Sequence, residues 1–403
     1  MMEKKARTKS GGIAGGNRGD GREMGRAAGI FSRQNAMLAV ALVLIASAIL
    51  YVESTKAGPQ VRPSGNQVLP GQPYGANSDA AGRQEGYSPY PPAPELAGIA
   101  GYINAPPNLT IASLRGRVVL VDFWDYTCIN CIRTLPYVES WYGKYANDGL
   151  EIIGVHTPEF DFEKNYSNLK TAVDRFGITY PVVQDNDYAT WTAYQNSYWP
   201  HDYLIDAQGS VRYDHIGEGG YDETEQEIVQ LLSEAKNRSV GMNSTGPNAA
   251  VFNPYEIGTP EIYFGQDFRR APLGNAQPSS VGETFNAAIP QGTLQPNVPY
   301  LEGQWTNGAD AVRLAGSSGA VELVFTAKNV NIVAGSANTT NLTLYIDGKR
   351  VEKQDYCPDA PKGACTVGAQ RLYSIIELQG YGTHLLRMEA NGTGLELFTF
   401  TFG

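Results

Sequence analysis

Cys128 and Cys131 stand two residues apart in FWDYTCINCIRTLP, residues 123–136, between an apolar run and a stretch with helical spacing. Two thiols at that separation suit three chemistries. They can exchange with a disulfide, supply half of a four-ligand zinc site, or close a tight structural ring. RVVLVDFW, residues 117–124, reads as a buried strand, and Cys131, Ile132, Leu135, Val138, Tyr142 and Tyr145 then recur at helical spacing. Cys128 is therefore expected where a helix begins, where free N–H groups and the positive dipole end favour thiolate over thiol. Cys131, one turn inside, is placed to attack a mixed disulfide formed at Cys128, the second half of thiol–disulfide exchange.

The other two chemistries fit less well. Zinc needs further ligands from Cys357, Cys365 or from His156, His201, His215 and His384, yet the second cysteine pair falls in a different predicted domain. No metal or cofactor is expected beyond a redox-active disulfide. A ring as tight as 128–131 stabilises little, whereas Cys357 and Cys365, in CPDAPKGAC, are expected to close a structural disulfide contributing about 2 to 3 kcal/mol. No Gly-x-Ser-x-Gly elbow suggests a hydrolase.

The elements that must position these residues occupy a chain of 403 residues with a formal charge of -10, which disfavours a nucleic-acid partner. Residues 1–35 are basic, with a net +5, so the remainder carries -15. Residues 36–52, AMLAVALVLIASAILYV, form an uncharged apolar run of 17 residues. At about 1.5 Å rise it spans most of a ~30 Å hydrocarbon core and is expected to be a transmembrane anchor. The basic arm should then stay cytoplasmic and everything after residue 52 should lie outside. All four cysteines follow the anchor, in a compartment where disulfides persist. Sequons at Asn108, Asn165, Asn237, Asn243, Asn338, Asn341 and Asn391 fit an exported chain.

Residues 53–95 hold eight prolines and no hydrophobic periodicity, which reads as a linker. Residues 96–236 alternate strand and helix patterns, ending in a hairpin and the amphipathic DETEQEIVQLLSEAK, as a compact α/β unit does. After a polar linker at 237–251, residues 252–403 show short alternating runs separated by Gly, Asn, Asp and Ser, the pattern of an all-β sandwich.

With these elements placed, VDFWDYTCINC resembles the thioredoxin pattern: Asp122 matches the buried strand acid, Trp124 the preceding aromatic and Pro136 the helix proline. Within that superfamily, FWDYTCINCIRTLPYVESWYGKY and LEIIGVHTPEFDFEKN are similar to the TlpA- and ResA-related proteins, above all the extracytoplasmic region of DipZ-like ones. FNPYEIGTPEIYFG, PYLEGQW and HLLRMEANGTGLELFTFTFG resemble the carbohydrate-binding-module-like domain, a jelly-roll or galactose-binding-like sandwich, that follows thioredoxin there. The resemblance implies a thiol:disulfide oxidoreductase with Cys128 as nucleophile, Cys131 as resolving thiol and Asp122 moving protons. It implies a cis Pro200 that, with Trp199, Trp124 and Thr127, shapes the substrate groove, and an acid near the cysteines at Glu159. Because DipZ-like proteins carry a multi-helix membrane domain and this chain has one apolar run, it also implies a separate CcdA-like electron donor. Thr127, Ile129 and Asn130 depart from the common Trp and Gly-Pro around such cysteines. Protein thiols or disulfides are the expected substrates, with a role in cytochrome c maturation or disulfide repair. The competing function is a surface protein binding glycan or a partner through the β domain, with Tyr300, Trp305 and Tyr381 as sugar-stacking candidates.

Overall fold

The computed structural model describes residues 89–242, 246–247, 256–351 and 357–403. The basic arm, the 36–52 run, Asn243 and most of the 53–95 linker lie outside the described residues. Among the described residues no helix is long and apolar enough to cross a membrane.

Two seven-residue runs, β2 (Val118–Trp124) and β3 (Leu150–His156), pair in parallel and are buried on both faces, which is why they read as continuous apolar stretches. β4 (Val182–Gln184) continues the parallel set, while β1 (Gly101–Ile103), β5 (His201–Ile205) and β6 (Val211–Ile216) join antiparallel. The strand order is β1-β4-β3-β2-β5-β6. Helices α1 (Ile129–Tyr145), α2 (Tyr166–Phe176), α3 (Ala189–Ala193) and α4 (Tyr221–Lys236) complete the unit.

Alternation along β2 splits its side chains between two cores. Leu120 and Trp124 pack with Leu135 and Val138 of α1 and Ile228 and Leu231 of α4. Val121 and Phe123 pack on the opposite face with Val155, Trp191 and Tyr194. Asp122 therefore points to the face that α1 and Cys131 cover. Gly154 allows close packing there, since a Cβ at that position would lie 2.9 Å from Trp124 Nε1.

The unit starts earlier than its expected boundary at 96. Pro92 bridges Ser210, the Ala93 amide donates to Gly209 O at 2.9 Å, and the Glu95 carboxylate accepts from the Ile111 and Ala112 amides. Proline spacing hid this, because the free backbone edge beside the β5–β6 turn recruits an extended segment whatever its periodicity.

The second region is built from β7 (Ile262–Tyr263), β8 (Thr284–Ala287), β9 (Tyr300–Asn307), β10 (Val312–Ser336), β11 (Thr340–Ile346), β12 (Lys349–Arg350), β13 (Ala364–Val367), β14 (Arg371–Asn391) and β15 (Leu395–Phe402). All nine pair antiparallel within one hydrogen-bonded network. The separation into two sheets expected from the sequence is bridged by β10 and β14, 25 and 21 residues long, whose register shifts near Ala327 and Val330. Bulges of this kind bend a strand so that it serves both walls of a core. Trp305, Phe325, Ile332, Leu344, Met388 and Phe400 fill that core.

The α/β and β-rich regions pack through a small aromatic cluster. Phe160 and Phe162 lie 5.2 Å and 4.8 Å from the Phe398 ring, with Ile129, Tyr263 and Leu372 around them. Ile129 is the residue between the first cysteine and Asn130, so this contact reaches the edge of the redox motif.

Candidate active site

Cys128 is the N-cap of α1 and its sulfur accepts the Cys131 amide at 3.3 Å, which satisfies one of the helix's free N–H groups. Cys131 lies one turn in and is buried, with the Asp125 amide pointing at its sulfur. The helix end, expected to favour the Cys128 thiolate, acts there together with other influences. Burial pushes the Cys128 thiol up, its contacts with Cys131 draw it partly back, and Asp125 and Glu261 push it further up. Burial likewise holds the Cys131 thiol well above its ordinary range. The β-rich region brings Glu261 and Tyr263 against this end of the helix, where Cys128 is half-buried.

Behind the cysteines lies a buried polar network that sequence reasoning missed. β2 and β3 are in register with Trp124 opposite His156, so Asp125, the next residue, meets the imidazole: Asp125 Oδ1 is 3.0 Å from His156 Nε2. Both side chains are fully buried, and the ring stacks on Tyr126. Thr127 Oγ1 lies 3.0 Å from Asp125 Oδ2 and 2.5 Å from Glu163 Oε1. Glu163 Oε2 in turn accepts the amides of Glu159 and Phe160 at 2.6 and 2.7 Å. The sequence signal was slight: Asp125 and His156 at the ends of apolar runs, and Glu163 in the polar stretch that follows the second of them.

The open side of the site is a cavity of about 120 Å³ lined by Asp125, Thr127, Cys128 and Glu159 of the α/β region, by Trp199, and by Glu261 and Tyr263 of the β-rich region. Thr399 and Thr401 of β15 close it. The Trp199–Pro200 peptide is cis, and Trp199 packs on Trp191 at 4.3 Å between ring centres. Glu159, placed near the cysteines by resemblance alone, lies in this wall. Burial, then the Asp125 charge, pushes its carboxyl up to about 8, while the Tyr263 hydroxyl at 2.8 Å restrains it.

Asp122 is buried, with its carboxyl pushed up to about 7 by desolvation. Its counterpart across the β2–β5 pair is Asp202, also buried, whose carboxyl is held well above its ordinary range by burial and then by Asp122. Strand-pair partners on one face sit about 4.5 to 5.5 Å apart at Cβ, so the strand acid works as one of two carboxyls. Trp124 does not line the groove: it is fully buried and packs edge-on against His156, as period-2 alternation dictates for the face under α1. Tyr300 and Trp305 are also core residues and offer no stacking face, whereas Tyr381 is 46% exposed. Cys357 and Cys365, the pair expected to form a structural disulfide, are buried neighbours. Burial pushes each of these two thiols up to about 12.

Comparison with known proteins agrees with this architecture. Residues 102–214 match the AhpC/TSA family model and residues 259–403 match the model described as thioredoxin like C-terminal domain. Protein DipZ of Mycobacterium tuberculosis is 38% identical over 316 residues, covering 77% of this chain and 43% of its own length. This chain thus spans less than half of that relative. Thiol-disulfide oxidoreductase YkuV of Bacillus subtilis is 30% identical across 36% of this chain and 97% of itself. Thiol-disulfide oxidoreductase ResA of Halalkalibacterium halodurans is 30% identical across 31% of this chain and 68% of itself. With a paired Cys128 and Cys131 at the head of α1 and near-complete coverage of such a relative, the chain belongs to the thioredoxin-like thiol-disulfide oxidoreductases.

Proposed function

We propose that the chain reduces disulfides of extracytoplasmic proteins by exchange through Cys128 and Cys131, from a membrane anchor at residues 36–52. The observation that carries this reading is Cys128 at the α1 N-terminus, opening into a cavity beside Trp199 and Pro200 with Cys131 one turn behind. In the reaction, Cys128 thiolate attacks a substrate disulfide, a mixed disulfide forms, and Cys131 displaces the second substrate thiol. A CcdA-like membrane protein is the proposed electron donor, and cytochrome c maturation a proposed destination. A glycan-binding role for the β-rich region is disfavoured at Tyr300 and Trp305 by their burial.

Cys131→Ser should trap protein substrates on Cys128 as species that disappear on reduction, and Cys128→Ser should trap none. A wild-type chain that neither reduces insulin nor yields a trapped species in the Cys131→Ser form would end this reading. A redox titration of the pair sets direction, with a value near ~-270 mV indicating a reductant and one near ~-120 mV an oxidant.

A further inference from the structure

Two acids in the wall of the Cys128 cavity converge on one hydroxyl. The Tyr263 hydroxyl lies 2.8 Å from Glu159 Oε1 and 3.0 Å from Glu261 Oε2, so the two carboxyls are close neighbours. A hydroxyl has a single hydrogen and donates to one of them at a time. Asp125, the third acid of the lining, is already engaged by His156 and Thr127, which leaves Glu159 and Glu261 as the pair short of donors. Glu261 is exposed and Glu159 half-buried, so the pair runs from the rim inward. Among the described residues no Lys, Arg or His lines this cavity. Arg270 lies over the Tyr263 ring, 4.7 Å from its centre, and among the described residues forms no ion pair with either acid.

β15 adds a second, independent feature to the same wall. Phe400 and Phe402 turn into the β core, and Thr399 and Thr401, at the alternate positions, line the cavity. Thr399 Oγ1 donates to the Phe400 carbonyl at 3.1 Å, whereas Thr401 Oγ1 has no hydrogen-bond partner although the residue is only 3% exposed. Trp199 Nε1, from the segment that ends in the cis proline, is likewise buried and without a partner. Buried polar atoms in native proteins are nearly always paired, and an unpaired one in the wall of a substrate cavity is an open position for a ligand's backbone.

We propose that this wall selects the substrate: the preferred disulfide carries a Lys or Arg beside its reacting cysteine, with the cation between Glu159 and Glu261 and the adjoining backbone hydrogen-bonded to Thr401 and Trp199. The inference rests on the exchange reaction above and names the class of protein disulfide that the reaction takes. A Lys head has three donors, enough for both carboxyls, and an Arg fork has five. An acidic flank in the same place meets like charge, so the wall rejects as well as attracts. A bound cation also favours the Glu159 carboxylate, which burial and then the Asp125 and Glu261 charges otherwise hold protonated up to about 8. Glu159, Glu261 and Thr401 act here as specificity residues and touch neither reacting sulfur.

Three disulfide-linked peptide dimers, identical except that Lys, Ser or Glu flanks the cysteine, test this in single turnovers of the reduced full chain, with released peptide thiol measured after acid quenching. The same dimers reduced by dithiothreitol give the intrinsic reactivity of each, and all preferences are taken relative to it. The wild type should favour the Lys dimer over the Glu dimer by about thirtyfold or more; Glu261→Gln should lower that preference about fivefold, and Glu261→Lys should invert it. Because each preference is a ratio within one protein, a change in Cys128 reactivity cancels. Raising NaCl should shrink the wild-type preference, a reading that needs no variant. Thr401→Val should slow all three dimers about three- to tenfold and leave the preference intact. A wild type with no preference beyond that of dithiothreitol, a preference insensitive to salt, or an unchanged ratio in both Glu261 variants overturns the proposal, and unchanged rates in Thr401→Val overturn the part given to that hydroxyl. Failure of the wild type to reduce any of the three dimers would instead count against the exchange reaction itself.

Discussion

The hydroxyl of Tyr263, on the first strand of the β-rich region, donates to Glu159 Oε1 at 2.8 Å and stands 3.0 Å from Glu261 Oε2. One side of the Cys128 cavity is thus held by a residue more than a hundred positions along the chain. Tyr263→Phe removes the donor that restrains the Glu159 carboxyl, so its titration should rise from about 8 by roughly one pH unit. The pH profile of Cys128 alkylation by iodoacetamide reads this as an inflection moved to higher pH; an unmoved inflection would show that the contact does not act on Glu159.

Glu261 is an acid that the β-rich region brings against Cys128, and its charge helps keep the thiol protonated. Glu261→Gln should therefore lower the Cys128 titration and accelerate its alkylation at neutral pH about two- to fivefold, since a like charge is removed from beside the thiolate. Equal rates in the two proteins would exclude that influence.

Stability should fall as pH rises from about 4 to 8. Glu159 and Asp122 titrate at about 8 and about 7 in the folded chain against ordinary values of 4.5 and 3.8. Between those limits the folded state holds protons that the unfolded state has lost, so each group contributes a loss of up to ~1.4 kcal/mol per pH unit. The stability is fully present below pH 4 and is lost through the folded values. Asp122→Asn and Glu159→Gln should each flatten the dependence of the urea midpoint on pH; a midpoint that rises across this window would contradict it.

Phe398 packs against Phe160 and Phe162 where the two regions meet. Phe398→Ala should cost about 3 to 5 kcal/mol of unfolding free energy if both regions unfold together. It should also speed modification of Cys128 by bulky maleimides more than by iodoacetamide, because Tyr263 and Thr399 lie on the same wall. Equal acceleration with both reagents would mean that the wall does not limit access.

Local pattern alone carried the redox motif. The apolar run ending at Trp124, the two cysteines three positions apart and the helical spacing through Tyr145 put a thiol at a helix start, and backbone geometry enforces that wherever the chain folds. The α/β alternation and the β-rich tail were legible for the same reason, since each rests on periods of a few residues. The start of the first unit was not, because Pro92 and Ala93 are held by hydrogen bonds to Ser210 and Gly209 rather than by any period of their own. The fate of Trp124 also turned on a face, and a face is visible only once α1 covers it.

The electrostatics of the site belong to the tertiary structure. Asp125 meets His156 because β2 and β3 align at that register, Glu163 reaches Thr127 from 36 positions away, and Glu261 and Tyr263 arrive from another region. Burial and the Asp125 and Glu261 charges there oppose the thiolate preference that a helix N-terminus has in isolation. The sequence by itself determined that two thiols stand at the head of a helix; the packing of distant segments decided which charged groups surround them.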